Sequence, residues 1–447
     1  MKDSHRGRHD ARRIWQAGID AVRADRLVHA ALRCEGDLLS LGNQRRDLSQ
    51  INRIVVVGAG KGGASMAAAI EDLLGPKRVA EKVSGWVNVP ANCVRQLQKI
   101  HLHAGRPAGL NEPTGEGVEG SEKILGMLGQ LTADDLCLVL ISGGGSALLP
   151  APQPPITLAD LLAVTRLLMQ AGATINELNA VRKCLSRIKG GQLAQASRAG
   201  ALWGLIVSDV IGDPLDVIAS GPTVPDHTSR SQAKSILQRF SRTPGDVPET
   251  VFHYLDQGAE NVEPKTPFPN NVYNTIIGNN QTALSAATTE AKQLGYQIVS
   301  LGSANQQEAD AEGRDLAEHC LNIRAAGDTG TCLLSGGEPV VQLPEESGKG
   351  GRNQHLVLAA LDRLWEDGMQ KITLLSGGSD GEDGPTDAAG AWADAGLLKA
   401  ARKQGLQPRA YLEPHNAYVF FDRLEGLIRT GPTHTNVMDL RVGIVAG

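Results

Sequence analysis

Residues 54–67 read IVVVGAGKGGASMA. Four apolar residues run into a glycine turn that carries one cation, Lys61, with Gly58, Gly60 and Gly63 spaced as G-x-G-x-x-G. Glycine lets backbone amides approach an anion, and a helix starting after the turn adds partial positive charge there. A lysine at a helix start opposes the helix dipole, and a bound anion offsets that cost. The same spacing marks dinucleotide sites. Those need an acid about 20 residues on, at the end of the next strand, to hold the ribose. Here that strand is VSGWVNVP, which ends at Asn88 and Val89 with no acid and no arginine suited to NADP. Lys61 is therefore read as a ligand for a phosphate or carboxylate.

Three further stretches carry related chemistry. LVLISGGGSA at 138–147, TCLLSGGEPV at 331–340 and ITLLSGGSDG at 372–381 each put Ser-Gly-Gly after an apolar run. Ligands of open α/β sheets bind beyond the carboxyl ends of strands, so these turns are read as phosphate-handling. The candidate nucleotide contacts are Gly143, Gly144, Gly145, Ser146, Asn279, Gly336, Gly337, Glu338 and Asn353. SGKGGRNQH at 347–355 frames Lys349 and Arg352 with glycines, and an arginine's rigid fork of donors suits a transferring phosphoryl group. Asp209, directly after the run Leu202–Val207, is the candidate base for a substrate hydroxyl. Asp380, Glu382, Asp383 and Asp387 crowd one loop without the final glutamate of a calcium site. One or two of them suit Mg²⁺ beside phosphate oxygens, and Asp380 and Asp387 are the candidates. Arg182, Lys183, Arg187 and Lys189 fall on more than one helix face and are expected on a solvated surface.

Bulk properties narrow the function classes. Aromatic residues are 3 % of the chain and the net charge is −5, which leaves neither base-stacking platforms nor a basic stripe for nucleic acid. No apolar run is long enough to span a membrane. The six cysteines are scattered without C-x-x-C, as expected of reduced thiols in a cytoplasmic protein.

The elements that must position these residues follow from periodicity. Short apolar runs at 54–57, 83–89, 136–141 and 202–207 alternate with helical patterns, which predicts α/β architecture with largely parallel, Rossmann-like sheets. Residues 11–39 read as helical. The Pro- and Asn-rich stretch 260–274 marks a boundary between one domain at 1–262 and a second at 272–447. Strands are expected again at 297–301, 332–334, 372–375 and 441–445, with a helix at 281–294.

Taken together, GAGK at 58–61, ISGGGSALLPAP at 141–152, SDVIGDPLDVIASGPT at 208–223, GKGGRNQH at 348–355, DGEDGPTDAAGA at 380–391 and TGPTHTNVMDL at 430–440 resemble the class II glycerate 2-kinase family, also called the MOFRL family. The resemblance runs from about residue 50 to the C terminus. It implies two α/β domains with a cleft between them, and phosphorylation of D-glycerate to 2-phosphoglycerate with ATP and Mg²⁺. It also implies that Lys61 and Arg352 are central to catalysis, flanking the transferred phosphoryl group and the substrate carboxylate. The chain departs from the family pattern in two places: GRPAGLNEP at 105–113 has Arg106 where a histidine is usual, and Gly-Gly-Glu is followed by Pro339 and Val340. An NAD(P)H-dependent hydroxypyruvate reductase and a sugar-acid sensor without turnover are the competing readings. A monomer or homodimer is expected.

Overall fold

The computed structural model describes residues 2–257, 268–328, 330–344 and 346–447; part of the expected boundary at 260–274 lies outside them. The chain divides into two compact units, one of residues 24–277 and one of residues 1–23 with 278–447. The first 23 residues therefore pack with the later unit, whereas the sequence reading grouped them with the earlier domain.

The earlier unit begins with β1 (Leu32–Glu35), β2 (Leu38–Leu41) and β3 (Gln44–Asp47), an antiparallel meander where the sequence reading had helix. Helix stops at Ala31. Gly36 and Gly42 then adopt left-handed backbone, with φ of 61° and 55°, and open two-residue loops, Gly36-Asp37 and Gly42-Asn43. Such pairs are hairpin signals, and here they override the apolar spacing.

The main sheet of this unit has the order β6-β5-β4-β7-β8-β9, from β4 (Ile54–Ala59), β5 (Val83–Pro90), β6 (Ile100–Arg106), β7 (Leu136–Ile141), β8 (Ala201–Val207) and β9 (Val272–Gly278). The pairings from β6 through β8 are parallel. β4, β7 and β8 are buried at every position, because helices cover both faces of a parallel sheet. β9 begins inside the expected boundary, where the second domain is expected to start, yet hydrogen-bonds as the edge strand of this earlier sheet. The order reverses between β4 and β7, and the crevice at such a switch point is where doubly wound sheets bind ligands.

The later unit holds a mixed sheet, β10-β11-β15-β12-β13-β14, from β10 (Gln297–Ser300), β11 (Thr331–Gly337), β12 (Ile372–Gly378), β13 (Gly390–Asp394), β14 (Leu427–Ile428) and β15 (Asp439–Val445). β10 and β11 are parallel, and the remaining pairings are antiparallel. β15 enters between β11 and β12, so Asp439 at its start lies opposite Gly337 on one side and Gly378 on the other. On one face the helix Lys2–Ala21 contributes Ala11, Ile14, Trp15 and Ile19 to a core with Leu440 and Val442. On the other, the helix Arg352–Arg363 is buried from Leu356 to Leu361.

Candidate active site

In the earlier unit the switch point brings two glycine turns together. The turn after β4 donates Lys61 N–H to Gly143 O at 2.9 Å and Gly62 N–H to Ser142 Oγ at 2.9 Å. A Cβ at Gly60 would lie 2.0 Å from Ser142 Oγ, so only glycine fits there. Gly144 is left-handed at φ 80°, and a Cβ on it would stand 3.3 Å from Arg106 Nη2 and 3.8 Å from Lys61 Cγ. Lys61 and Arg106 thus both come close to Gly144. Arg106, noted in the sequence only as a departure from the family pattern, ends β6 and is buried at this same turn. Half-buried Asp209 follows β8 at the same end of the sheet.

The position that would hold a ribose acid is occupied by structure. Asn88, at the end of β5, is fully buried. It donates to Leu148 O at 2.8 Å, accepts from Trp86 Nε1 at 3.1 Å, and through its carbonyl accepts Gly60 N–H at 3.2 Å. It braces the turn and is not open to a nucleoside.

The basic stretch 182–189 departs from its expected solvated face. Lys183 and Lys189 are buried, and Lys183 pairs with Asp226 at 3.3 Å and Asp216 at 3.6 Å. Lys189 donates to Ser146 O at 2.7 Å and to Ser146 Oγ at 3.1 Å. Burial pushes its ammonium down to about 7, and the positive charge of Arg182 adds to that. Ser146 Oγ also lies 3.0 Å from Ser220 Oγ, in a left-handed run formed by Ala219 at φ 51°, Ser220 at 62° and Gly221 at 63°. Two consecutive non-glycine residues in that region cost free energy, which the surrounding bonds must offset.

In the later unit the functional residues gather around Arg352, the first residue of its helix. Its guanidinium is bidentate to Asp439, Nε to Oδ2 at 2.7 Å and Nη2 to Oδ1 at 3.0 Å, and its Nη1 reaches Glu338 Oε1 at 2.7 Å. Burial alone would lower the arginine's pKa, but Asp439 and Glu338 outweigh it and hold the group firmly protonated. Glu338 is raised by partial burial and by Asp439 and Asp380, against the pull of Arg352. Asp383 is buried and accepts the amides of Asn353 at 3.0 Å and Gln354 at 2.8 Å, capping the same helix. Burial pushes its carboxyl up to about 7 against those two bonds.

The other sequence candidates divide by what their side chains already hold. Asn353 is fully buried between Asp383 (Nδ2 to Oδ1, 3.2 Å) and Ser376, whose Oγ donates to it at 2.5 Å. Asn279 caps the helix Asn280–Gln293 by accepting Thr282 N–H at 3.1 Å. Gly336 and Gly337 are explained by close packing, since a Cβ would fall 1.8 Å from Asn280 Oδ1 and 2.1 Å from Asn305 O respectively. Asp380 accepts Glu382 N–H at 3.0 Å and is near enough to Glu338 to raise its pKa. Asp387 is exposed and bonded to Tyr418 Oη at 2.7 Å and Arg429 Nε at 3.0 Å, in a separate surface cluster with Asp422. Among the described residues no three His, Cys, Asp or Glu side chains converge as a metal site.

The sequence gives Asp439 no role and puts Lys189 on a solvated face, whereas the acids of the 380–387 loop that do not hold Mg²⁺ read as turn formers or helix caps, and Asp383 caps a helix.

Fold and site together define a two-unit α/β protein whose charged functional residues collect at the carboxyl ends of its parallel strands and around the start of one helix. Residues 10–256 match a domain described as of unknown function, DUF4147, and residues 331–439 match the MOFRL family. The human protein named glycerate kinase is 39 % identical over 96 % of this chain and 91 % of its own length. Glycerate 2-kinase of Pyrococcus horikoshii is 33 % identical over 97 % of this chain and 96 % of its own. The solved structure titled glycerate kinase from Thermotoga maritima superposes with a TM-score of 0.82 at 32 % identity, covering 98 % of this chain and 99 % of that one. A protein of Agrobacterium vitis named putative hydroxypyruvate reductase is 38 % identical over 88 % of this chain and all of its own length. The chain belongs to the MOFRL glycerate kinase family.

Proposed function

We propose that the chain transfers the γ-phosphoryl group of ATP to the 2-hydroxyl of D-glycerate, giving 2-phosphoglycerate, ADP and a proton. The observation that carries this reading is the glycine turn at the sheet's switch point, with Lys61 and Arg106 both close to Gly144 and Asn88 closing the ribose position. The full-length likeness to proteins named glycerate kinase supports it.

Roles follow from the chemistry of each group. The amides of Gly143 and Gly144 and the cation of Lys61 receive phosphate oxygens. Lys61 and Arg352 stabilise charge that develops on the transferred phosphoryl group. Asp209 takes the proton of the substrate hydroxyl as its oxygen bonds to phosphorus and the bridge to ADP breaks. Glu338 and Asp439 are hard oxygen donors that both bond Arg352, and Asp380 is close enough to Glu338 to raise its pKa. Oxygen donors gathered in this way suit Mg²⁺, with Glu338 and Asp380 as its holders. Bound there, the ion supplies charge neutralisation for the donor phosphates. Asp387 is engaged by Tyr418 and Arg429 and is left out of this set.

The test is turnover of ATP, Mg²⁺ and D-glycerate read through enolase alone, which accepts 2-phosphoglycerate and not the 3-phospho isomer. Signal without added mutase is expected. NAD(P)H oxidation with hydroxypyruvate, in place of that signal, overturns the kinase reading in favour of the reductase.

A further inference from the structure

The roles above leave Lys189 unused, although it lies beneath the turn they depend on. Ser220 Oγ donates to Asn179 Oδ1 at 3.1 Å, so its proton is committed and its oxygen accepts from Ser146 Oγ. Ser146 in turn accepts from Lys189 Nζ. One direction satisfies the whole line: Lys189 to Ser146 to Ser220 to Asn179. The line ties the turn at 142–146 to the left-handed run at 219–221, whose Ala219 Cβ comes within 3.1 Å of where a Gly145 Cβ would stand.

Hydrogen bonding is complete along this line, but charge is not. Lys183 next door has its two aspartates, yet among the described residues neither Lys189 nor Arg182 forms an ion pair with a carboxylate. Arg182 is close enough to disfavour the charge on Lys189. A buried cation without a counter-charge is costly. Lys61 and Arg106 come close to Gly144 in the same turn.

We infer that the turn at 142–146 is an oxyanion subsite whose buried counter-charge is Lys189, a positioning residue that holds the turn through its bonds to Ser146 O and Oγ. This rests on the kinase reading for the identity of the oxyanion: the carboxylate of the acceptor acid or a phosphate of the donor nucleotide.

The experiment compares the full chain with Lys189→Met and Lys189→Arg, by thermal melting with D-glycerate alone and with a non-hydrolysable ATP analogue alone, and by steady-state kinetics. The expected result is a Lys189→Met protein that melts like the parent, loses the shift given by one ligand, and loses about 10²-fold in kcat/KM for that ligand. Lys189→Arg restores part of both. Loss of the glycerate shift assigns the carboxylate, and loss of the nucleotide shift assigns the phosphate. Retention of both shifts, with kcat and KM within about twofold of the parent, overturns the inference. If Lys189→Met does not fold, Ser146→Ala carries the hydroxyl half of the comparison, because it removes the Oγ contact at 3.1 Å while Lys189 keeps its bond to Ser146 O. A parent that binds but does not turn over glycerate refutes the kinase reading alone, since the melting shifts still decide the subsite.

Discussion

At the scale of single residues, Lys61 and Arg352 are each proposed to stabilise the phosphoryl group, and Arg352 has a structural duty besides. Lys61 sits half-buried in a turn whose geometry is fixed by backbone bonds to Gly143 and Ser142. Lys61→Ala is expected to keep its melting temperature and lose about 10²–10³-fold in kcat. Arg352 is also the partner of Asp439, which is fully buried. Removing it leaves an uncompensated carboxylate, so Arg352→Ala is expected to cost about 3 kcal/mol in urea unfolding as well as activity. Arg352→Lys keeps the charge but not the bidentate fork. It separates the effects: most stability returns, while kcat stays low. Equal stability of Arg352→Ala and the parent would sink the structural half of this account.

At the scale of elements, the start of the helix Arg352–Arg363 is held by Asp383 and given room by Gly351, where a Cβ would lie 2.3 Å from the Asp383 carboxyl carbon. Asp383 titrates near 7 in the fold against an ordinary 3.8. The folded state therefore keeps a proton that the unfolded chain releases. That contribution to stability is full below about pH 4 and is lost as pH rises through about 7. Asp383→Asn cannot ionise and lacks this slope. Urea midpoints at about pH 5 and about pH 8 are expected to move in favour of the variant at the higher pH; a constant difference would contradict the assignment. A second element-scale test concerns Gly336, which admits the Asn280 side chain that donates to Val437 O and Asp439 O at 2.8 and 2.9 Å. Gly336→Ala displaces that amide from the start of β15 and is expected to destabilise by about 1–3 kcal/mol, read by thermal melting.

At the scale of the whole molecule, the later unit is discontinuous in sequence. Trp15 is buried against Gly377, and its Nε1 donates to Gly377 O at 3.3 Å. Ala11, Ile14 and Ile19 are buried in the same core. A fragment of residues 278–447 alone exposes that apolar face. It is expected to aggregate or melt broadly, whereas the same fragment with residues 1–23 joined by a flexible linker melts cooperatively. Residues 24–277 contain their own sheet and core and are expected to melt cooperatively alone. Calorimetry of the three pieces checks this.

The sequence by itself determined the parallel strands of the earlier unit, because β4, β7 and β8 are short apolar runs, the first two leading into glycine turns, and local pattern suffices to place them. It also singled out Lys61, since a cation among glycines after a strand has a chemical meaning without any partner in view. Only the tertiary structure decided what stands around these residues. The hairpins at 32–47 were written in Gly-Asp and Gly-Asn, but helical spacing of apolar residues competed with that signal. That β15 inserts between two Ser-Gly-Gly strands, that Asp439 thereby meets Arg352, and that Lys189 lies inside are outcomes of pairing between residues far apart in the chain. Periodicity carries no information on such pairings, because strand order and the burial of a charge are settled by which distant surfaces exclude water together.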